Sequence, residues 1–274
     1  MSREKKAQDK QGVMIFAGLG VLVLVVVGFK LATAKEKVDK KTNCPDQIVR
    51  ESVFVLDRSS TIAEQTKDEI RARITRIINV KVKEGERITF YEVNDSAYTE
   101  LKPLSINYEG KDFCKPKVEV SALTENQELT RKRYNAKIKA LLDMDHLKNR
   151  GRETKSPVAQ VIFDVSLSEH MENKHVSFYL FSDMMENSKD ISLYGCQDGK
   201  DAVEKYTSER AGRALRPTFK NISHFEVHRI PTKSTSEVIS CRNYFWNWFF
   251  GDIQQSDEVI EPFNPKDLFK DLPG

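Results

Sequence analysis

Between Gln47 and Ile230, short apolar runs alternate with longer charged stretches of helical period, and this alternation decides the fold class. Val53, Phe54, Val55 and Leu56 form one uninterrupted run, and Val176 to Phe181 forms another. Runs this short and this apolar, bounded by polar residues, predict strands buried on both faces. The first strand is read over 47–56. A helix follows over 62–78, because Ile62, Ile70, Ile74, Ile77 and Ile78 share one face. A second strand spans 87–93. After the Asn94-Asp95-Ser96 turn a third is expected over 98–108, antiparallel to the second because the connection is short. Helices are expected over 123–147, with Leu129, Ala136, Ala140 and Leu141 inward, over 157–171 with Ser156 as its cap, over 201–215 and over 237–250. Phe225, Val227 and Ile230 mark the last strand. The expected fold is α/β, a doubly wound, mostly parallel sheet with one antiparallel strand.

The ends differ in character. No charge interrupts residues 12–29, about the minimum length to cross a bilayer, and Lys10 and Lys30 flank the run. We read residues 1–11 as a cytoplasmic tail, 12–33 as a single transmembrane helix and 34–43 as a linker. A domain over 44–250 and an extended or loosely docked C-terminal segment over 251–274 complete the chain. The rival for the N-terminus is a cleavable signal peptide ending at Ala32-Thr33-Ala34. Both flanks of the run are basic, so charge does not orient it. Four cysteines, Cys44, Cys114, Cys196 and Cys241, all follow it, and an even number suits an oxidising compartment. The domain is therefore expected outside the cytoplasm, with four reduced thiols in a cytoplasmic domain as the alternative. The style of the anchor points to a bacterial inner membrane. The net charge is only +3, and the basic surplus sits in residues 1–12 and 30–41. A nearly neutral domain without a basic stripe argues against nucleic-acid binding.

The first strand runs into Asp57-Arg58-Ser59-Ser60-Thr61, where a carboxylate is followed by hydroxyls two and four positions on. In open α/β sheets ligands bind at this carboxyl end of the strands, and the chemistry is that of a hard cation rather than zinc. The pentad resembles Asp-x-Ser-x-Ser, the first segment of the metal-ion-dependent adhesion site of von Willebrand factor A domains. Thr61 keeps the last hydroxyl, while Ser60 stands where the family usually has Gly. Phe181-Ser182-Asp183 is similar to the family's strand-ending Thr-Asp-Gly, with Met184 in place of the Gly. The family's Thr from a second loop corresponds to Thr154 or Ser156, with Ser156 the better fit. The resemblance covers about residues 46–250. It implies a Rossmann-like von Willebrand factor A fold and a Mg²⁺ site, or one for Ca²⁺ or Mn²⁺, made by Asp57, Ser59, Thr61, Ser156 and Asp183. It further implies a coordination position left open for a partner's carboxylate. Without a cation, two close carboxylates would repel and one would take up a proton.

On that layout Cys44 and Cys114 fall at the end of the sheet opposite the metal face, and Cys196 and Cys241 fall near it. The pairs Cys44–Cys114 and Cys196–Cys241 then need the least distortion. The last helix would bring Tyr244, Phe245, Trp246, Trp248, Phe249 and Phe250 toward the membrane end, some packing on the sheet and others meeting the bilayer interface or a partner. His224 and His228 read as surface or half-buried side chains rather than a ligand pair.

The expected function is non-enzymatic: divalent-cation-assisted protein binding or scaffolding in an envelope complex, with no small-molecule substrate. One alternative is a metal-independent structural subunit in which these residues cap helices and bond to one another. Another is a phosphoryl-transfer enzyme using Asp57. That chemistry needs a second Asp two residues on, where this chain has Ser59, and no Gly-rich phosphate loop or zinc signature is present.

Overall fold

A computed structural model describes residues 38–39, 41–57, 59, 62–93, 113–116, 127–143, 155–219, 221–251 and 269–272. The chain divides into two units, residues 1–38 and 39–274. The expected membrane segment, 12–33, lies outside the described residues. Among those described, no helix is long and apolar enough to cross a membrane.

Among the described residues the second unit has six strands: β1 (Arg50–Asp57), β2 (Arg87–Val93), β3 (Phe113–Cys114), β4 (His175–Ser182), β5 (Ile222–Arg229) and β6 (Phe269–Asp271). They lie in the order β3-β2-β1-β4-β5-β6. Every neighbouring pair is parallel except β2 and β3, which are antiparallel through Arg87↔Cys114 and Ile88↔Phe113. This is the mostly parallel sheet with one antiparallel member that the sequence implied. The described antiparallel strand is 113–114, and the expected one at 98–108 lies outside the described residues. β6 comes from the C-terminal segment, so the sheet draws its last strand from beyond residue 250.

Among the described residues, five helices pack on the two faces: α1 (Glu64–Val80), α2 (Gln127–Asp143), α3 (Val158–Ser166), α4 (Gly199–Glu209) and α5 (Ser236–Phe249). Strand side chains alternate between faces, so β1 feeds two cores. Val53 and Val55 join Val161, Ile162, Tyr206, Phe245 and Trp246 under α3, α4 and α5. Phe54 and Leu56 join Ile70, Ile74, Ile77 and Ile78 of α1 and Tyr134, Ile138 and Leu142 of α2. Phe54 stacks between Phe90 and Tyr179, at 4.7 and 4.9 Å between ring centres.

Several boundaries move for physical reasons. α2 turns Tyr134, Ile138 and Leu142 inward, a one-turn repeat, while Leu129, Ala136 and Ala140 of the expected inner face are exposed and the Leu141 side chain lies outside what is described. The row of larger side chains buries more apolar surface, and Tyr134 meets Phe113 edge-on. The helix expected over 157–171 stops at Ser166 and gives way to a 3₁₀ turn at Glu169–Met171. α4 begins two residues earlier than expected, where the Asp198 carboxylate accepts the Lys200 N–H at 2.7 Å.

Both disulfides pair as expected, Cys44–Cys114 and Cys196–Cys241. The first ties the chain entering β1 to β3 beside Arg87, where β2 begins. At that same end the Lys115 ammonium donates to the carbonyls of Ile78, Asn79 and Val82 and so caps α1.

Candidate functional site

β1 and β4 are adjacent and parallel with Leu56 opposite Phe181, so Asp57 and Ser182 face each other one step further on. The Ser182 hydroxyl donates to Asp57 Oδ2 at 2.6 Å. The Ser59 hydroxyl and N–H both donate to Asp57 Oδ1, at 2.6 and 3.0 Å. From the segment before α3, the Ser156 hydroxyl reaches Asp57 Oδ2 at 3.5 Å. Three separate stretches of chain therefore converge on one carboxylate at the carboxyl end of the parallel strands, where such sheets place ligands.

Of the five expected ligands, Asp57, Ser59 and Ser156 form one hydrogen-bonded cluster. Asp183 is buried at the same sheet end, one residue past Ser182, and its Oδ1 accepts the Met185 N–H at 2.9 Å. Thr61 lies outside the described residues. Ser156 does not cap α3: the helix starts from Pro157 without a side-chain cap, and the Ser156 hydroxyl goes to Asp57.

Three contributors were not read from the sequence. Ser182 is the first, although its place opposite Asp57 follows once the strand register is known. The second is Glu186, fully buried, whose Oε2 accepts the Ala159 N–H at 2.7 Å and so supplies the cap α3 lacks. Its other oxygen has no hydrogen-bond partner. The Ser188 hydroxyl is close enough to favour the charged form without satisfying that atom. The only local sign was an acid following two methionines that bury. The third contributor is α5, where Arg242 Nη1 donates to the Asp183 carbonyl at 3.1 Å and Trp246 Nε1 to the Met184 carbonyl at 2.7 Å. Met184 occupies the left-handed region, φ 63°, where the resemblance leads one to expect Gly. Its buried side chain and the Trp246 bond hold that turn.

Burial raises the Asp57 carboxyl above its ordinary range, and the bonds from Ser182, Ser59 and Ser156 oppose that only in part. Burial likewise pushes Glu186 up to about 8, with the Asp57 and Asp190 charges adding to it. This sheet end is thus short of positive charge around Asp57. The donors are all hard oxygens, and a hydroxyl that now donates to Asp57 has lone pairs to offer a cation once it rotates. Among the described residues, no group of three or more His, Cys, Asp or Glu side chains is placed to hold a metal. A cation here would depend on serine hydroxyls together with Asp57 and Asp183.

The aromatic cluster of α5 resolves into packing. Phe245, Trp246, Phe249 and Phe250 are buried, Trp248 is partly buried and Tyr244 is exposed. His224 and His228 both turn to Glu226, at 3.1 and 3.2 Å, which also pairs with Lys81 at 2.6 Å and with Lys270.

No family model matches the chain, and no curated protein matches it. Among solved structures that match is the crystal structure of the SpRpn10 VWA domain, 10% identical, with a TM-score of 0.35, covering 82% of this chain and 89% of that one. An overlap that loose assigns no residue and no activity.

Proposed function

We propose that this chain is a von Willebrand factor A-like protein-binding or scaffolding subunit, anchored by residues 12–33 in a bacterial inner membrane with its domain outside the cytoplasm. On this reading a divalent cation, Mg²⁺ foremost and Ca²⁺ or Mn²⁺ otherwise, is held by Asp57, Ser59, Thr61, Ser156 and Asp183. A carboxylate of a protein partner completes its coordination. One observation carries the reading: Asp57 is buried at the end of β1 with hydroxyls from three stretches of chain turned onto it. A buried carboxylate whose protonation is favoured by desolvation gains most from a cation.

The test is calorimetric titration of the full-length, detergent-extracted chain with Mg²⁺ and Mn²⁺, with Asp57→Ala and Asp183→Ala as controls. Saturable binding by the parent chain that both variants lose is the expected result. Absence of heat from the parent chain overturns the cation.

A second reading is a metal-independent structural subunit. It is favoured by the way each Asp57 oxygen already accepts hydrogen bonds within the chain, which closes the cage on itself. In that case Asp57→Asn leaves partner recovery intact.

A further inference from the structure

One row of residues crosses the top of the sheet. Asp57 faces Ser182, Ser182 pairs with Arg229, and Arg229 pairs with Asp271. Laterally paired residues project on the same face, so Arg229 and Asp271 share the face of the Asp57 cluster, with Arg229 two inter-strand steps, about 10 Å, from Asp57. Arg229 Nε and Nη2 bind the two Asp271 oxygens at 2.6 and 3.0 Å, the forked geometry in which a guanidinium recognises a carboxylate. The Asp271 side chain is 72% exposed and that of Arg229 only 23%. The cation is built into the sheet and its carboxylate lies at the surface.

Arg242 is depressed by burial and by the neighbouring Arg229 charge, while Asp183 and Asp271 act the other way. Arg229 and Arg242 lie close enough for one charge to disfavour the other, so an acid at Arg229 is favoured there. Turning Asp271 away need not undock β6. Lys270 remains paired with Glu226 on the opposite face, and Leu272 remains buried with Phe54, Tyr179 and Phe181. An ion pair this exposed contributes roughly 0.2–1 kcal/mol, so replacing its carboxylate by another costs little.

We propose that Arg229 is a second, acid-recognising subsite beside the Asp57 cluster, reading an acidic side chain of the protein partner, and that Asp271 of the chain's own C-terminal strand fills it until that side chain displaces it. The inference rests on the reading above only in placing the partner at this sheet end. The partner surface would then carry two acids about 10 Å apart, one for the cation and one for Arg229. Asp271 sets the threshold as an internal competitor.

The test uses the full-length chain in detergent and fluorescein-labelled hexaglutamate followed by anisotropy, with hexaglutamine as the uncharged control, in Mg²⁺ and again in EDTA. Asp271→Asn is expected to tighten hexaglutamate binding roughly two- to fivefold. Asp271→Glu, which keeps the pair, stays at the parent value, as does Glu128→Gln, which makes the same charge change on α2. Arg229→Gln weakens binding and cancels the effect of Asp271→Asn in the double variant. If Asp271→Asn binds no tighter than the parent chain, or tightens equally with Arg229→Gln present, the subsite is overturned. If Mg²⁺ alters nothing in any variant, the cation reading fails, and the EDTA series still decides the subsite.

Discussion

Trp246 of α5 donates its indole N–H to the carbonyl of Met184, the residue that turns the chain away from Asp183 through a left-handed conformation. Helix and turn therefore fix each other at the sheet end that carries the candidate site. Trp246→Phe keeps most of the packing but leaves a buried carbonyl without its donor, which costs about 1–3 kcal/mol. Met184→Gly relieves a left-handed residue, worth about 1–2 kcal/mol, but empties a buried side-chain position, which costs about 2–5 kcal/mol. Both variants are expected to be less stable than the parent in urea denaturation. A more stable Met184→Gly would mean that backbone strain outweighs packing there.

Glu186 sets the alkaline limit of stability. Its folded carboxyl is raised to about 8 by burial, against 4.5 as a free side chain. Between those values the folded state holds a proton that the unfolded chain has released, so stability falls as pH rises through the window. The whole fall is on the order of a few kcal/mol. Glu186→Gln mimics the protonated form and keeps an acceptor for the Ala159 N–H. Its denaturation midpoint is expected to change less than that of the parent between pH 6.5 and 8, where His170 no longer contributes.

His170 contributes to the acid limit: burial, assisted by the Arg87 charge, pushes it down to about 4 from 6.5. Here the unfolded chain binds the extra proton, so stability is full above about 6.5 and is lost as pH falls toward 4. Between about 4.5 and 6.5 the two slopes oppose each other, so stability is maximal across that window and falls on either side. His170→Asn should flatten the acid limb of the midpoint-against-pH curve and leave the alkaline limb alone.

The two disulfides are expected to differ in what they protect. Cys44 and Cys114 are 70 residues apart and Cys196 and Cys241 are 45 apart, so chain entropy gives each roughly 4 kcal/mol. Cys241 neighbours Arg242, which binds the Asp183 carbonyl, whereas Cys114 lies at the other end of the strands. Replacing either pair by serines should lower the thermal midpoint. Only the Cys196→Ser/Cys241→Ser chain should also weaken any Mg²⁺ affinity found by calorimetry.

The sheet was legible because its strands are buried on both faces, which leaves near-continuous apolar runs such as Val53 to Leu56. The cysteine pairing followed from placing each residue at one end of that sheet. β6 was not legible: three residues on a sheet edge, Phe269, Lys270 and Asp271, carry no period and are held by ion pairs to β5. The inner face of α2 was misread because its charged residues surround two possible apolar rows, and side-chain volume decides between them. At the site, acid and hydroxyl residues at strand ends announced Asp57, Ser59 and Asp183. The role of Ser182 needed the register of β1 against β4, and that of Glu186 needed the folded position of a helix 27 residues away in sequence.

Cys44 meets the chain six residues before β1 begins, and its sulfur is bonded to β3 two strands away. A pull arriving through residue 44 therefore divides between two strands rather than unzipping one. The strand that ends in Asp57 shares its load with the far edge of the sheet, so mechanical tension entering from the N-terminal side is spread before it reaches the carboxylate.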